Sequence, residues 1–319
     1  MRRVALLVLG LSACSRSSAP SVADTAPNAV NSAAILDAGN GDRLSPDAAT
    51  TATREDCAEP KKLTQLVTVK EKARFTGETL EGATHDFDPE TGAPSPLATK
   101  PIAKPQPSTP SPYTQVAGGW GLIFKDQESD AKVEDVATKK KIMTFSGCAA
   151  GGSWVYALST TGRFLICTSN RSGDRFYDLG HGGKEIKDVG GEGIALAPND
   201  GYAVAVPVVM WGNGEASRTS ITYFNLDTHK SAAVAKAAHL DLPTGEPTPH
   251  SNPYAVNFCG DGALFVASGD QEVVVSRGKD GARLAAAPAL KGGDVSFSRS
   301  GKYISQTRDQ KTTVFRLDL

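Results

Sequence analysis

The chain has 319 residues and a formal net charge of −1, with 34 basic and 35 acidic side chains. This balance lacks the basic surplus that nucleic-acid binding needs, so no nucleic-acid partner is expected. A hydrophobic fraction of 39%, together with 32 glycines and 19 prolines, favours an all-β globular body with many turns.

The N-terminus is predicted to be a secretory signal, residues 1–13. Arg2 and Arg3 precede an eight-residue apolar run, which is far shorter than the roughly 20 residues of a membrane-spanning helix. The tetrad Leu11-Ser12-Ala13-Cys14 that follows resembles the lipobox of bacterial lipoproteins. That resemblance implies cleavage before Cys14 and attachment of the mature chain to membrane lipid through an acylated Cys14. The alternatives are a plain signal cut near Ala19 and an uncleaved membrane anchor.

The lipobox resemblance also implies a location in the bacterial cell envelope. Ser15 follows the cysteine, where an aspartate would resemble an inner-membrane retention signal, so the outer membrane is favoured over the inner. Residues 14–60 contain few apolar or aromatic side chains and are predicted to be a disordered linker. Its mean reach is about 37 Å for a flexible chain of this length. The proline-rich stretch 93–112 is predicted to be an irregular loop within segment 71–112.

A repeat follows the linker and predicts the fold. Two apolar strands flank a polar turn four times, and the turns end in Gly162, Gly201, Gly262 and Gly301, at spacings of 39, 61 and 39 residues. A unit near 40 residues with several short strands is typical of a β-propeller blade. The segment 157–180 (ALSTTGRFLICTSNRSGDRFYDLG) resembles the repeat of TolB-type propellers, and 295–319 is similar. The GHxWD signature of the related WD repeat is absent.

The propeller domain is predicted over residues 61–319, with five blades of four strands. The units are 113–150, 151–189, 190–250, 251–290 and 291–319, and segment 71–112 would add an irregular sixth blade. The last unit has only three strands before the chain stops, which would leave an exposed sheet edge. We therefore expect residues 62–70 to supply its fourth strand and close the ring.

The cysteines fit an oxidising compartment. Besides Cys14 there are four, Cys57, Cys148, Cys167 and Cys259, which could form up to two disulfides in three possible pairings. No CxxC or Cys/His spacing predicts a metal site, and no sequence motif predicts a cofactor.

Two groups of residues are candidates for function. The unit that contains Gly201 is longer than its neighbours, and within the excess Val208, Val209, Met210 and Trp211 form an apolar hairpin tip that is a candidate partner-binding site. These residues could instead pack against a neighbouring blade. Glu192 and Asp294 precede innermost strands and could lie at the mouth of the central channel, as an acid/base pair or as solvated loop charges.

The TolB-type resemblance implies protein partners. The expected function is therefore that of a membrane-anchored, non-catalytic platform that binds an envelope protein or polymer. The competing expectation is an envelope hydrolase or lyase that acts on a glycan or lactone through Glu192 and Asp294. Fold alone does not decide between them.

Overall fold

A computed structural model of the chain describes residues 57–97, 112–124, 130–146, 154–169, 173–187, 189, 193–206, 220–237 and 255–319. The described residues contain 24 strands in six four-stranded antiparallel sheets. The first strand, β1 (Lys62–Val69), is followed by five sheets of four consecutive strands, blades 1 to 5, and then by three further strands.

Blades 1 to 3 follow each other along the chain. Blade 1 contains β2 (Ala73–Thr76), β3 (Thr79–Gly82), β4 (His85–Phe87) and β5 (Pro94–Pro96). Blade 2 contains β6 (Gln115–Ala117), β7 (Trp120–Phe124), β8 (Asp130–Asp135) and β9 (Lys141–Ser146). Blade 3 contains β10 (Trp154–Leu158), β11 (Phe164–Ser169), β12 (Gly173–Asp178) and β13 (Lys184–Glu185), with a short 3₁₀ helix at Leu179–His181.

Blades 4 to 6 complete the set. Blade 4 contains β14 (Gly193–Leu196), β15 (Tyr202–Val206), β16 (Ser220–Asn225) and β17 (Ser231–Lys236). Blade 5 contains β18 (Val256–Cys259), β19 (Leu264–Ser268), β20 (Glu272–Arg277) and β21 (Arg283–Pro288). Blade 6 contains β22 (Asp294–Phe297), β23 (Tyr303–Arg308), β24 (Lys311–Asp318) and the N-terminal β1.

Strand β1 closes the ring. It pairs antiparallel with β24, from Lys62 opposite Asp318 to Val69 opposite Thr312. The chain therefore folds as a β-propeller of six blades, and the prediction that this segment supplies the fourth strand of the last blade is confirmed. The additional sixth blade, which the sequence analysis placed in segment 71–112, is blade 1, a four-stranded sheet within residues 73–96.

The core is divided among the interfaces between blades. Five apolar clusters each join two neighbouring blades; in the one between blades 5 and 6, Leu264 and Val275 pack with Ile304 and Phe315. Such burial is the dominant stabilising contribution to a fold of this kind. No comparable cluster joins blades 1 and 2 within the described ranges.

Blade 1 is polar on one face. Phe75 and Leu80 on one side of the sheet pack against blade 6. On the other side, Arg74, Glu81 and Asp86 stand side by side across β2, β3 and β4. Side chains alternate between the two faces of a strand, so these three charged side chains point away from blade 6.

The prediction that each of the four turns has a glycine at its left-handed position is wrong for blade 4. Gly162, Gly262 and Gly301 have positive φ values of +76°, +98° and +68°, as the turn requires. In blade 4 that position belongs to Asp200, with φ +56°, and not to Gly201. The Asp200 N–H donates to the Ala197 carbonyl oxygen over 2.9 Å, which is the bond that the three glycines make in their own turns.

Two disulfides involve described cysteines. Cys57 is bonded to Cys259, with 6.1 Å between the two Cα atoms. Cys167 is also disulfide-bonded. In the part of the chain that the structure describes, no helix is long and apolar enough to cross a membrane.

Candidate functional site

The hairpin turns between the first and second strands of the blades touch one another around the ring. A Cβ on Gly118 of blade 2 would lie 1.9 Å from the Thr161 carbonyl oxygen of blade 3. The Tyr202 hydroxyl of blade 4 donates to the Gly262 carbonyl oxygen of blade 5 over 2.8 Å. These turns and the turns between third and fourth strands lie on one face, which we call the turn face. The opposite face, formed by the other turns and the blade-to-blade connections, is the connection face.

A buried carboxylate links blades 3 and 4 on the turn face. Asp200 is 1% exposed, and its Oδ2 accepts hydrogen bonds from the hydroxyls of Ser159 and Thr161. Its Oδ1 has no hydrogen-bond partner among the described residues. Burial raises the pKa of Asp200, and the two hydroxyl bonds oppose that shift. Asp200 thus occupies a position that favours glycine because its side chain binds the neighbouring blade.

Blades 6 and 1 are linked in a similar way. The Ser300 N–H donates to one carboxylate oxygen of Glu78, and the Ser300 hydroxyl donates to the other over 2.9 Å. The Arg299 N–H donates to the Gly77 carbonyl oxygen over 2.8 Å. Hydrogen bonds on the turn face therefore join blades 3 and 4, blades 4 and 5, and blades 6 and 1.

The N-terminal segment joins the propeller on the turn face. Cys57 is bonded to Cys259, which begins the turn between β18 and β19. The Glu59 carboxylate accepts two hydrogen bonds from Arg277, of 2.6 and 2.8 Å. Lys61 N–H then donates to the Asp318 carbonyl oxygen over 2.8 Å. The described chain therefore begins on this face, where Cys57 is fixed at blades 5 and 6.

Buried polar groups hold part of the connection face in place. Gln306, fully buried, donates from Nε2 to Ser268 Oγ over 2.6 Å and to the Leu290 carbonyl oxygen over 2.7 Å. The Thr307 hydroxyl donates to the Ala73 carbonyl oxygen over 2.6 Å. These bonds fix the connection that leads into β22 and the one that leads from β1 into β2.

The innermost strands use polar side chains to bind their neighbours. Asn257 Oδ1 accepts from the Phe297 N–H over 3.2 Å, and Ser296 Oγ accepts from the Phe75 N–H over 2.9 Å. In blade 2, Gln115 accepts from the Leu158 N–H over 2.7 Å and donates to its carbonyl oxygen over 3.1 Å. These side chains are therefore used to hold blades together around the axis.

The residues predicted as sites fall in different places. Asp294 is exposed at the connection-face end of β22, opposite Thr307. Cys57, Cys167 and Cys259 are disulfide-bonded. The remaining predicted residues lie outside the described part of the chain: Cys14, Cys148, Glu192, Val208, Val209, Met210 and Trp211. The predicted carboxylate pair and the predicted apolar hairpin tip thus remain predictions.

Sequence reasoning missed a small polar cluster on the connection face of blade 1. The Glu71 carboxylate accepts from the Thr84 N–H over 2.6 Å and from its hydroxyl over 2.9 Å. The Thr84 hydroxyl is also 2.8 Å from His85 Nδ1, which lies 3.8 Å from Glu71. The bonds from Thr84 lower the pKa of Glu71. Glu71 and His85 are fourteen positions apart on either side of a hairpin, so no motif in the sequence brings them together.

A pocket on the turn face of blade 2 also escaped the sequence analysis. Its volume is about 420 Å³, and it is lined by Trp120, Asp135, Thr138, Lys140 and Lys141. The sequence shows the lysine run but not the tryptophan beside it, because the two belong to different hairpins. Within the described ranges, no group of three or more histidine, cysteine, aspartate or glutamate residues could hold a metal ion.

Comparisons with known proteins leave the family open. No protein-family model matches the chain, and no curated protein matches it. Among solved structures, the hydrazine synthase of Kuenenia stuttgartiensis is similar at 18% identity and a TM-score of 0.34, over 59% of this chain. This chain spans about half of that protein, 52% of its length. A likeness of this size carries no argument about function.

Proposed function

We propose that the protein is a bacterial envelope lipoprotein, anchored through an acylated Cys14, whose propeller binds an envelope protein or polymer without catalysis. The disulfide between Cys57 and Cys259 supports this proposal, since such bonds persist in oxidising compartments outside the cytoplasm. The lipobox tetrad supports the anchor, and Ser15 favours the outer membrane over the inner.

The observation that carries the proposal is the point where the linker enters the propeller. Cys57, Glu59 and Lys61 are each bonded to groups on the turn face. A linker anchored in lipid would therefore tether the propeller by its turn face and leave the connection face as the untethered side. The connection face is where loops on a rigid scaffold can carry a binding surface.

Binding is favoured over catalysis because polar side chains of the innermost strands already form hydrogen bonds to neighbouring blades. Gln115, Asn257 and Ser296 are bonded to backbone groups of neighbouring blades. Side chains bonded in this way hold neighbouring blades together, so these three groups are not free to act on a substrate.

A second candidate function, a hydrolase or lyase acting on a glycan or lactone, is favoured by the cluster of Glu71, Thr84 and His85. An imidazole next to a carboxylate and a hydroxyl is a combination that acid/base catalysis uses. His85→Ala and Glu71→Gln would each abolish such an activity, whereas partner binding at another part of the connection face would survive both changes.

A photo-crosslinking amino acid placed at four exposed lysines tests the proposal in intact cells. Lys70 and Lys311 lie on the connection face, and Lys230 and Lys279 lie on the turn face as matched controls. We expect a discrete protein or polymer adduct from Lys70 or Lys311. Adducts to a protein from the turn-face positions alone, or from none of the four, would refute the platform as proposed.

A further inference from the structure

We propose that the pocket on the turn face of blade 2 binds the phosphate groups of an anionic lipid surface and gives the propeller a second contact with the membrane. That this face is the tethered side rests on the proposed function, because it needs an anchored linker. The chemistry of the pocket rests on its own side chains.

The pocket combines an aromatic ring with two ammonium groups. Trp120 forms one wall, and Lys140 and Lys141 are exposed at its edge. Neither lysine has a charge partner among the residues that the structure describes. Tryptophan is enriched where proteins meet membrane headgroups, because its ring is apolar and its N–H is polar. Lysine beside it supplies the charge that attracts phosphate.

The other charged groups of this turn are already occupied. Asp135 Oδ1 accepts from the Thr138 N–H over 2.7 Å and from its hydroxyl over 2.8 Å, and these bonds lower the pKa of Asp135. Lys139 Nζ bonds the Tyr113 hydroxyl over 3.0 Å and lies 4.9 Å from the centre of the ring. The side chains of Lys140 and Lys141 are the cations that remain available to a ligand.

The two arginines at other turns of this face, Arg277 and Arg163, are matched by carboxylates, whereas Lys184, Lys230 and Lys279 are exposed there as single charges. Arg277 pairs with Glu59 and with Asp280. Arg163 pairs with Asp227 over 2.6 Å. Blade 2 differs from these positions because two adjacent lysines without an ion pair among the described residues line one pocket together with a tryptophan.

The location of the pocket means that a membrane contact there would orient the propeller. The linker enters at blades 5 and 6, whereas the pocket lies in blade 2, on the far side of a six-bladed ring. A flexible linker alone would let the propeller tumble above the membrane. A second contact at the opposite rim of the same face would hold that face against the membrane and the connection face outward.

Vesicle co-sedimentation tests the inference with the mature chain carrying Cys14→Ser, so that no acyl chain contributes. We expect binding to vesicles of phosphatidylethanolamine with phosphatidylglycerol, weakened by added salt, and little binding to phosphatidylcholine alone. Lys140→Gln with Lys141→Gln should lower the partition coefficient about 25-fold, since each lysine near an anionic surface contributes roughly fivefold. Lys70→Gln with Lys72→Gln, on the connection face, should leave binding unchanged.

A second readout does not depend on the lysine variants. Brominated phosphatidylglycerol should quench tryptophan fluorescence, and Trp120→Phe should remove that quenching. The inference would be overturned if the two double lysine variants bound the vesicles equally, or if the wild type bound neutral and anionic vesicles equally. It would also be overturned if inorganic phosphate protected Lys140 and Lys141 from amine-reactive labelling while the chain did not bind vesicles. The two proposals fail separately. If the Cys14→Ser chain binds vesicles but mass spectrometry of the wild-type protein from cells finds no acyl chains on Cys14, only the lipid anchor is refuted. If Cys14 is acylated in cells but the Cys14→Ser chain does not bind vesicles, only this contact is refuted.

Discussion

Replacing Cys57 and Cys259 together by alanine should lower the free energy of unfolding by about 2–5 kcal/mol. The bond closes a loop of 202 residues, for which the chain-entropy relation gives about 5 kcal/mol at 25 °C. Residual structure in the denatured chain reduces that value. Alanine is preferable to serine because Cys259 is only 1% exposed, and a serine there would bury a hydroxyl.

Urea-induced unfolding, followed by circular dichroism under oxidising conditions, measures this loss. We expect the midpoint to fall and the slope to rise, since the unfolded chain is less compact and exposes more surface without the bond. Adding dithiothreitol to the wild type is a less specific comparison, because it also reduces the disulfide of Cys167. A loss below about 1 kcal/mol would contradict the reasoning that this long loop constrains the unfolded chain.

Three further substitutions test the turn face and the connection face. Gly118→Ala should lower the free energy of unfolding by more than about 2 kcal/mol, because its Cβ would lie 1.9 Å from a backbone oxygen. In thermal unfolding, Gly119→Ala should lose less stability, because Gly119 also has a positive φ but no neighbour within 4 Å. Equal losses of stability would contradict the clash at Gly118. Burial raises the pKa of Asp200, so the folded state binds the proton of this carboxyl more tightly than the unfolded state does. The free energy of unfolding should therefore fall as the pH rises above the ordinary carboxyl value of 3.8. Urea unfolding at several pH values should show a weaker pH dependence for Asp200→Asn, and an unchanged pH dependence would refute this reasoning. Gln306→Leu should cost about 2–4 kcal/mol in the same assay, since it removes hydrogen bonds from several buried groups, and a neutral effect would show that they find other partners.

The repeat of blades 3 to 6 was predictable because each of those blades has a polar turn between two apolar strands. Blades 1 and 2 lack that pattern: β2 and β3 carry Arg74 and Glu81 on one face, and the strands are short. Closure by β1 was predictable from the missing strand of the last blade.

Other features depend on contacts between blades, which a single repeat unit does not contain. The repeat predicts Gly201 as the turn glycine of blade 4, yet Asp200 takes the left-handed position because its carboxylate binds Ser159 and Thr161 of blade 3. The pairing of Cys57 with Cys259 follows from ring closure, which brings together residues 202 positions apart. The pocket likewise needs Trp120 from one hairpin and two lysines from the next.

The mass of the mature N-terminus tests the account most directly. The chain is extracted with detergent from the membranes of the cells that produce it, and its N-terminal peptide is analysed by mass spectrometry. The account predicts a peptide that begins at Cys14 and carries acyl chains. A peptide that begins near Pro20 without lipid, or one that retains Met1, would contradict the anchor and with it the orientation of the two faces.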